Sequence, residues 1–197
     1  MSDAPLHART LNEVRYYMMV HACAACSKGP WVAAETGQPD KHHRLTLKAK
    51  CKNCSAEQTF EFLVDRPLGP QGAKSETINP TGSPSEIIDV AQWLSLFYML
   101  VESAASRDTP AVSRRASYQA ALCLAEALKF YGDNELPPST GFFTEPSRQT
   151  FAQHPEKFAR QRLMDMKAKL PALPSMARRI NRDDWVATKK WWQFWRR

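Results

Sequence analysis

Catalytic signatures are missing from this 197-residue chain, which has no glycine-rich phosphate loop, no nucleophile elbow and no HExxH motif. No histidine stands beside carboxylates in a pattern above background, so an enzyme is not expected. Long apolar runs are missing too. The longest, residues 87–101, is interrupted by Asp89 and Gln92 and is too short to span a bilayer. The opening MSDAPLHART has no apolar h-region, so no secretory signal is expected. Cysteine is scarce, five in 197 residues, which excludes a small secreted disulfide scaffold. A thioredoxin-like redox motif needs one CxxC in a βαβ context, and none is visible. Free thiols without a signal predict a cytoplasmic protein.

What cysteine there is lies in two matched units. Cys23-Ala24-Ala25-Cys26 and Cys51-Lys52-Asn53-Cys54 are separated by 24 residues. Two residues between cysteines let one tight turn aim both sulfurs at one ion, and two such turns supply the tetrahedral four-sulfur set that Zn²⁺ favours. Four protein ligands leave no open position, so the expected cofactor is structural Zn²⁺ rather than a catalytic metal. The fifth cysteine, Cys123, lies between Leu122 and Leu124 in an apolar helical pattern and reads as a small buried hydrophobe.

Flanking periodicity predicts strands. Tyr16, Met18 and Val20 alternate with their neighbours before the first unit, Leu45, Leu47 and Ala49 do so before the second, and Phe60, Phe62 and Val64 form a return strand. With its cysteine spacing, the first third of the chain resembles the zinc-ribbon superfamily, which implies β-hairpins carrying two CxxC knuckles. Such knuckles commonly have glycine after the second cysteine, where this chain has Ser27 and Ser55; serine also turns a chain. The linking segment is long for a ribbon, which predicts a loop over residues 33–43. Lys28, Lys48, Lys50 and Lys52 surround the knuckles, either to contact phosphates or to offset the −2 charge of a Zn–thiolate centre. His21, His42 and His43 are spare, since four cysteines already fill the site.

Pro67, Gly69, Pro70, Gly72, Pro80, Gly82 and Pro84 mark a linker, and Ser83-Pro84-Ser85-Glu86 reads as the capped start of a helix reaching about Ala105. A second helix after Thr109-Pro110 continues to Tyr131, with Gly132 as its stop, and the short connection predicts antiparallel packing. The hairpin is similar to one tetratricopeptide unit, but no second copy follows at that period, so a small bundle completed by later segments is expected. Those segments are residues 146–153 and 155–170, the latter with a stripe of Ala159, Leu163, Met166 and Leu170, and His154 reads as the boundary between them. The expected architecture is thus α+β: a zinc-ribbon domain (1–66), a Pro/Gly-rich linker (67–82), an α-helical bundle (83–174) and a tail (175–197).

Charge is unevenly spread, with net +2 over residues 1–66, −3 over 67–140 and +8 over 141–197. The basic end carries Trp185, Lys189, Lys190, Trp191, Trp192, Trp195, Arg196 and Arg197. On a helical wheel the indoles fall in one arc with the cations outside it. That pattern fits docking into a protein partner, an anionic membrane surface or single-stranded nucleic acid, or a tail folded back on the bundle. The reading adopted is an intracellular adapter with an unidentified protein partner, and the runner-up a nucleic-acid-binding protein using ribbon lysines and tail together; no small-molecule substrate is evident.

Overall fold

The computed structural model describes residues 4–34, 37–66, 78–105 and 110–170. Most of the expected linker (67–77) and the whole basic tail, with Trp185, Lys189, Lys190, Trp191, Trp192, Trp195, Arg196 and Arg197, lie outside the described residues.

Four strands form one sheet in the order β1-β4-β3-β2. β1 (Leu6–Thr10) runs parallel to β4 (Glu57–Arg66), while β3 (Arg44–Cys51) is antiparallel to both β4 and β2 (Trp31–Ala33). Along β3 exposure alternates strictly: Leu45, Leu47, Ala49 and Cys51 point inward and Thr46, Lys48 and Lys50 outward. Phe60, Phe62 and Val64 of β4 line the same inner face, so the sheet is packed on one side and solvated on the other.

The segment before the first knuckle is helix α1 (Leu11–Val20), not the strand that the alternation of Tyr16, Met18 and Val20 suggests. Its start is built locally. The Thr10 hydroxyl accepts from the Glu13 N–H, and Glu13 reaches back to accept from the Arg9 N–H at 2.6 Å. This is a variant of the capping box, and the Thr10-x-x-Glu13 spacing is its sequence sign. α1 is covered on two sides. Tyr17 packs edge-on to Phe60 and Phe62 of the sheet, while Tyr16 meets Trp93 with ring centroids 5.9 Å apart.

α2 (Val90–Ala105) begins later than the Ser83-Pro84 signal implies. Asp89 and Gln92 exchange reciprocal bonds, Gln92 N–H to Asp89 Oδ1 at 2.8 Å and Asp89 N–H to Gln92 Oε1 at 3.0 Å, and so form the working cap. Ser85 instead turns the chain upstream, accepting from the Ile87 and Ile88 N–H groups. The other oxygen of Asp89 accepts from Phe143 N–H, tying this helix to the chain just ahead of Glu145. α3 (Pro110–Leu128) packs along α2, and Gly132 with φ +52° follows its end. α4 (Glu145–Gln153) closes at His154, the expected boundary, after which a 3-10 turn (Pro155–Phe158) precedes α5 (Arg160–Lys169). Only Leu163 of the predicted α5 stripe is fully buried; Ala159, Met166 and Leu170 are half-buried.

The protein is therefore a mixed α/β molecule with a four-stranded sheet and five α-helices among the described residues. Sheet, α1 and helices contribute to one continuous apolar cluster. Ile78 and Asn79, inside the span read as linker, are buried in the seam, where the Thr10 hydroxyl bonds to the Ile78 carbonyl and Lys129 Nζ donates to the Asn79 carbonyl at 2.9 Å. Among the described residues no helix is long and apolar enough to cross a membrane.

Candidate metal centre

The two CxxC units meet at one end of the sheet. The first lies between α1 and β2, and the second joins β3 to β4, with Cys51 as the last residue of β3 in register with Trp31. The expected pair of hairpins is thus half realised: a helix replaces the strand ahead of the first knuckle, because both sides of that segment have apolar neighbours to cover.

Backbone geometry is the same in both units. The N–H of Cys23 donates to the Lys28 carbonyl at 2.7 Å and that of Cys51 to the Ala56 carbonyl at 2.8 Å. The N–H of Ser27 returns to the Cys23 carbonyl at 2.7 Å, and that of Ser55 to the Cys51 carbonyl at 2.9 Å. Each loop is therefore closed by the same two bonds at the same offsets. A further bond, Lys52 N–H to the Pro30 carbonyl at 2.9 Å, stitches one loop to the other.

Ser27 and Ser55 both adopt the left-handed conformation, φ 56° and 61°, which glycine occupies at lower cost. Serine fills the turn without removing the strain. Ser27→Gly and Ser55→Gly should therefore each stabilise the protein, by about 0.5–1 kcal/mol, since the relief of left-handed strain outweighs glycine's larger unfolded-state entropy. Urea unfolding is the check. A lowered midpoint means that the serine side chains contribute something glycine lacks.

All four sulfurs lie within 4.8 Å of one another. Two of the separations run between the knuckles, Cys23 to Cys54 at 3.7 Å and Cys26 to Cys51 at 3.6 Å. A tetrahedron of sulfurs with metal–sulfur bonds of about 2.3 Å has edges of about 3.8 Å. These distances fit such a set and are far from the roughly 2.05 Å of a disulfide; all five cysteines are free thiols. Cys23 and Cys51 are buried, Cys26 is half-buried and Cys54 is exposed, so the centre sits at the surface with its back against the core.

The thiols are inequivalent as acids. Burial pushes Cys26 up, but the Lys28 backbone, the Asn53 side chain and the neighbouring thiols outweigh it and bring it down to about 7. The Ala56 backbone draws Cys54 down, yet Cys26, then desolvation, then Cys23 and Cys51 together raise it to about 12. Four sulfurs this close share protons. A divalent cation makes all four thiolates favourable at once, so metal uptake releases protons and acid reverses it.

The spare histidines are not part of this set. His21 is stacked on Tyr17 at 4.7 Å and edge-on to Phe60 at 5.5 Å, and burial lowers its pKa below 6.5, so it serves as a neutral aromatic filler behind the knuckles. His42 and His43 lie at the opposite end of β3, in the expected loop. There Asp40 accepts from the His42 and Arg44 N–H groups, and His43 Nδ1 meets the Val64 carbonyl at 3.2 Å. Cys123 is fully buried in α3, where burial pushes its thiol well above the usual value; it reads as core, as expected.

No protein-family model, curated protein or solved structure matches this chain. The centre consequently stands on its own geometry. Four cysteines cluster within metal-binding distance, and among the described residues no other histidine, cysteine or carboxylate joins them.

The knuckle lysines are exposed. Lys50 pairs with Glu57 at 2.8 Å, and Lys48 also lowers the Glu57 carboxyl, after the larger effect of Lys50. Glu61 lies on the same outer face, opposite Thr46. The outer sheet is thus a mixed-charge surface, in which cations on β3 are matched by carboxylates on β4.

Proposed function

We propose that this chain is a zinc-binding adapter protein in which a ribbon-like four-cysteine centre is structural and the basic, tryptophan-rich end docks to a partner protein. The observation that carries the first half is the donor set: four thiols within 4.8 Å of one another, held by two equivalently closed knuckles, which is enough to fill a tetrahedral shell. Zinc suits it because thiolate-only tetrahedral sites select zinc over the hard cations. Such a centre requires reduced thiols, which supports an intracellular setting. It braces the end of a small sheet and performs no chemistry on a substrate.

The second half rests on sequence composition. Tryptophan and arginine are the favoured anchors of protein interfaces, and residues 185–197 hold four of the six tryptophans. The nucleic-acid alternative loses support on the sheet, where acidic partners match Lys48 and Lys50. The membrane alternative remains an outcome of the test.

Affinity capture comparing the full chain with one ending at Asp184 tests the tail, with purified anionic vesicles as a parallel arm. Trp192→Ala together with Trp195→Ala should abolish capture, since each buried anchor costs about 2 kcal/mol or more, roughly thirtyfold in affinity. Lys189→Ala with Lys190→Ala should chiefly slow association. Equal capture by both chains removes the tail from the account. Binding that falls steeply with salt on added nucleic acid selects the runner-up.

A further inference from the structure

Four charged side chains from three parts of the chain converge at the seam between sheet and helices. His7 on β1 places Nε2 2.5 Å from Asp65 Oδ1 on β4, and Nδ1 2.9 Å from Glu86 Oε2 on the segment leading into α2. Arg9, on the same face of β1, sets Nη1 3.2 Å from Asp65 Oδ2 and Nη2 against Glu86 Oε1, and its Nη1 also lies 3.1 Å from His7 Nδ1, so the two cations touch each other as well as the carboxylates. Each carboxylate is therefore bridged by both cations.

Proton count decides what this arrangement can do. A neutral imidazole carries one N–H and an imidazolium two. With a carboxylate at each ring nitrogen, only the protonated ring donates to both; the neutral ring gives up one of those bonds, and with its lone pair on Nδ1 it can accept from Arg9 Nη1 in place of donating to Glu86. Two cations then face two anions, and deprotonation leaves a single cation against the same two charges. Because both nitrogens are engaged, His7 has none free to serve a substrate as a general base or to ligate a metal.

We propose that His7, Arg9, Asp65 and Glu86 form a pH-sensitive latch, which fastens the segment entering α2 to the outer edge of the sheet while His7 is protonated and loosens when that proton leaves.

The segment is fastened inwardly by groups independent of His7: the Thr10 hydroxyl to the Ile78 carbonyl, Lys129 to the Asn79 carbonyl, and the Ser85 turn over Ile87 and Ile88. The latch is its outer fastening. Glu13 of α1 stands behind it, accepting from the Arg9 N–H; burial raises its carboxyl, against the lowering effects of Ser85 and Arg9. Hydrogen bonds to Asp65 first and Glu86 second raise His7 above its ordinary 6.5. The bond to His7 holds Glu86 low. Burial pushes Asp65 up, but the bonds from His7 and Arg9 outweigh it and hold that carboxyl low as well.

The signs define a window. The histidine's contribution is complete below pH 6.5 and is lost as pH rises through its raised value; the carboxylates' contributions are lost as pH falls through their depressed values. The latch is closed between these limits and opens on the alkaline side. Asp65 and Glu86 are 41% and 52% exposed, so each pair is screened individually, and the effect is a local change in the segment rather than global unfolding.

NMR titration of the full chain tests this, following the His7 ring together with the Ile87 and Ile88 amides. The His7 midpoint should lie above 6.5, both amides should shift with that same midpoint, Glu86→Gln should lower the midpoint, and His7→Gln should abolish the coupled amide shifts. Glu86 is half exposed, so its substitution leaves the fold intact. A His7 midpoint at or below 6.5, or amide shifts unchanged in His7→Gln, overturns the proposal.

Discussion

Cys51→Ser is expected to unfold the knuckle end of the sheet. Cys51 is buried at the end of β3, pairs in register with Trp31 and closes the second knuckle through its N–H. β2 has three residues and, among the described residues, no neighbour in the sheet other than β3. So short a strand cannot hold its own register. In zinc-finger peptides the metal contributes about 10–16 kcal/mol of apparent folding free energy, far more than the packing of two turns can replace. Loss of the metal, by this substitution or by a chelator, should therefore release β2 and both knuckles, seen as rapid amide exchange over residues 21–34 and 50–56. α2 and α3, remote in sequence and packed on each other, should keep their protection. Unchanged exchange around the knuckles after chelation would mean that the sheet stands without metal.

Trp93→Ala should have the second-largest effect. Trp93 is fully buried in α2 and meets Tyr16 of α1, which stands between the helices and the sheet. Truncating a buried tryptophan costs about 3–5 kcal/mol, through lost transfer energy and the cavity left behind. One apolar cluster spans both parts, so the loss should be felt on both sides of the seam. Urea unfolding followed by amide exchange separates the cases: a common drop in sheet and helices is expected, whereas destabilisation confined to the helices means two independent cores.

The strands β3 and β4 were legible because the sheet is one-sided, and alternation survives wherever one face meets water. α1 was not. Tyr16, Tyr17 and Met18 are consecutively buried because the helix is enclosed between sheet and α2, so its pattern imitates period two over a short span. Capping residues carried the better signal, Thr10 with Glu13 and Asp89 with Gln92, and each outranked the apolar pattern or the proline beside it. The cysteine spacing did predict the cluster, because a CxxC loop is a local structure whose closing bonds lie within six residues. Ser27 and Ser55 stand where a ribbon knuckle has glycine and adopt glycine's conformation. The seam was illegible. His7 and Glu86 are 79 residues apart, and nothing local in either one selects the other.

X-ray absorption at the zinc edge, on the full chain purified under reducing conditions, tests the central claim most directly. The account predicts one zinc per chain with four sulfur neighbours at about 2.3 Å and no nitrogen or oxygen in the shell. Absence of zinc, or a shell containing histidine nitrogen or water oxygen, would contradict it.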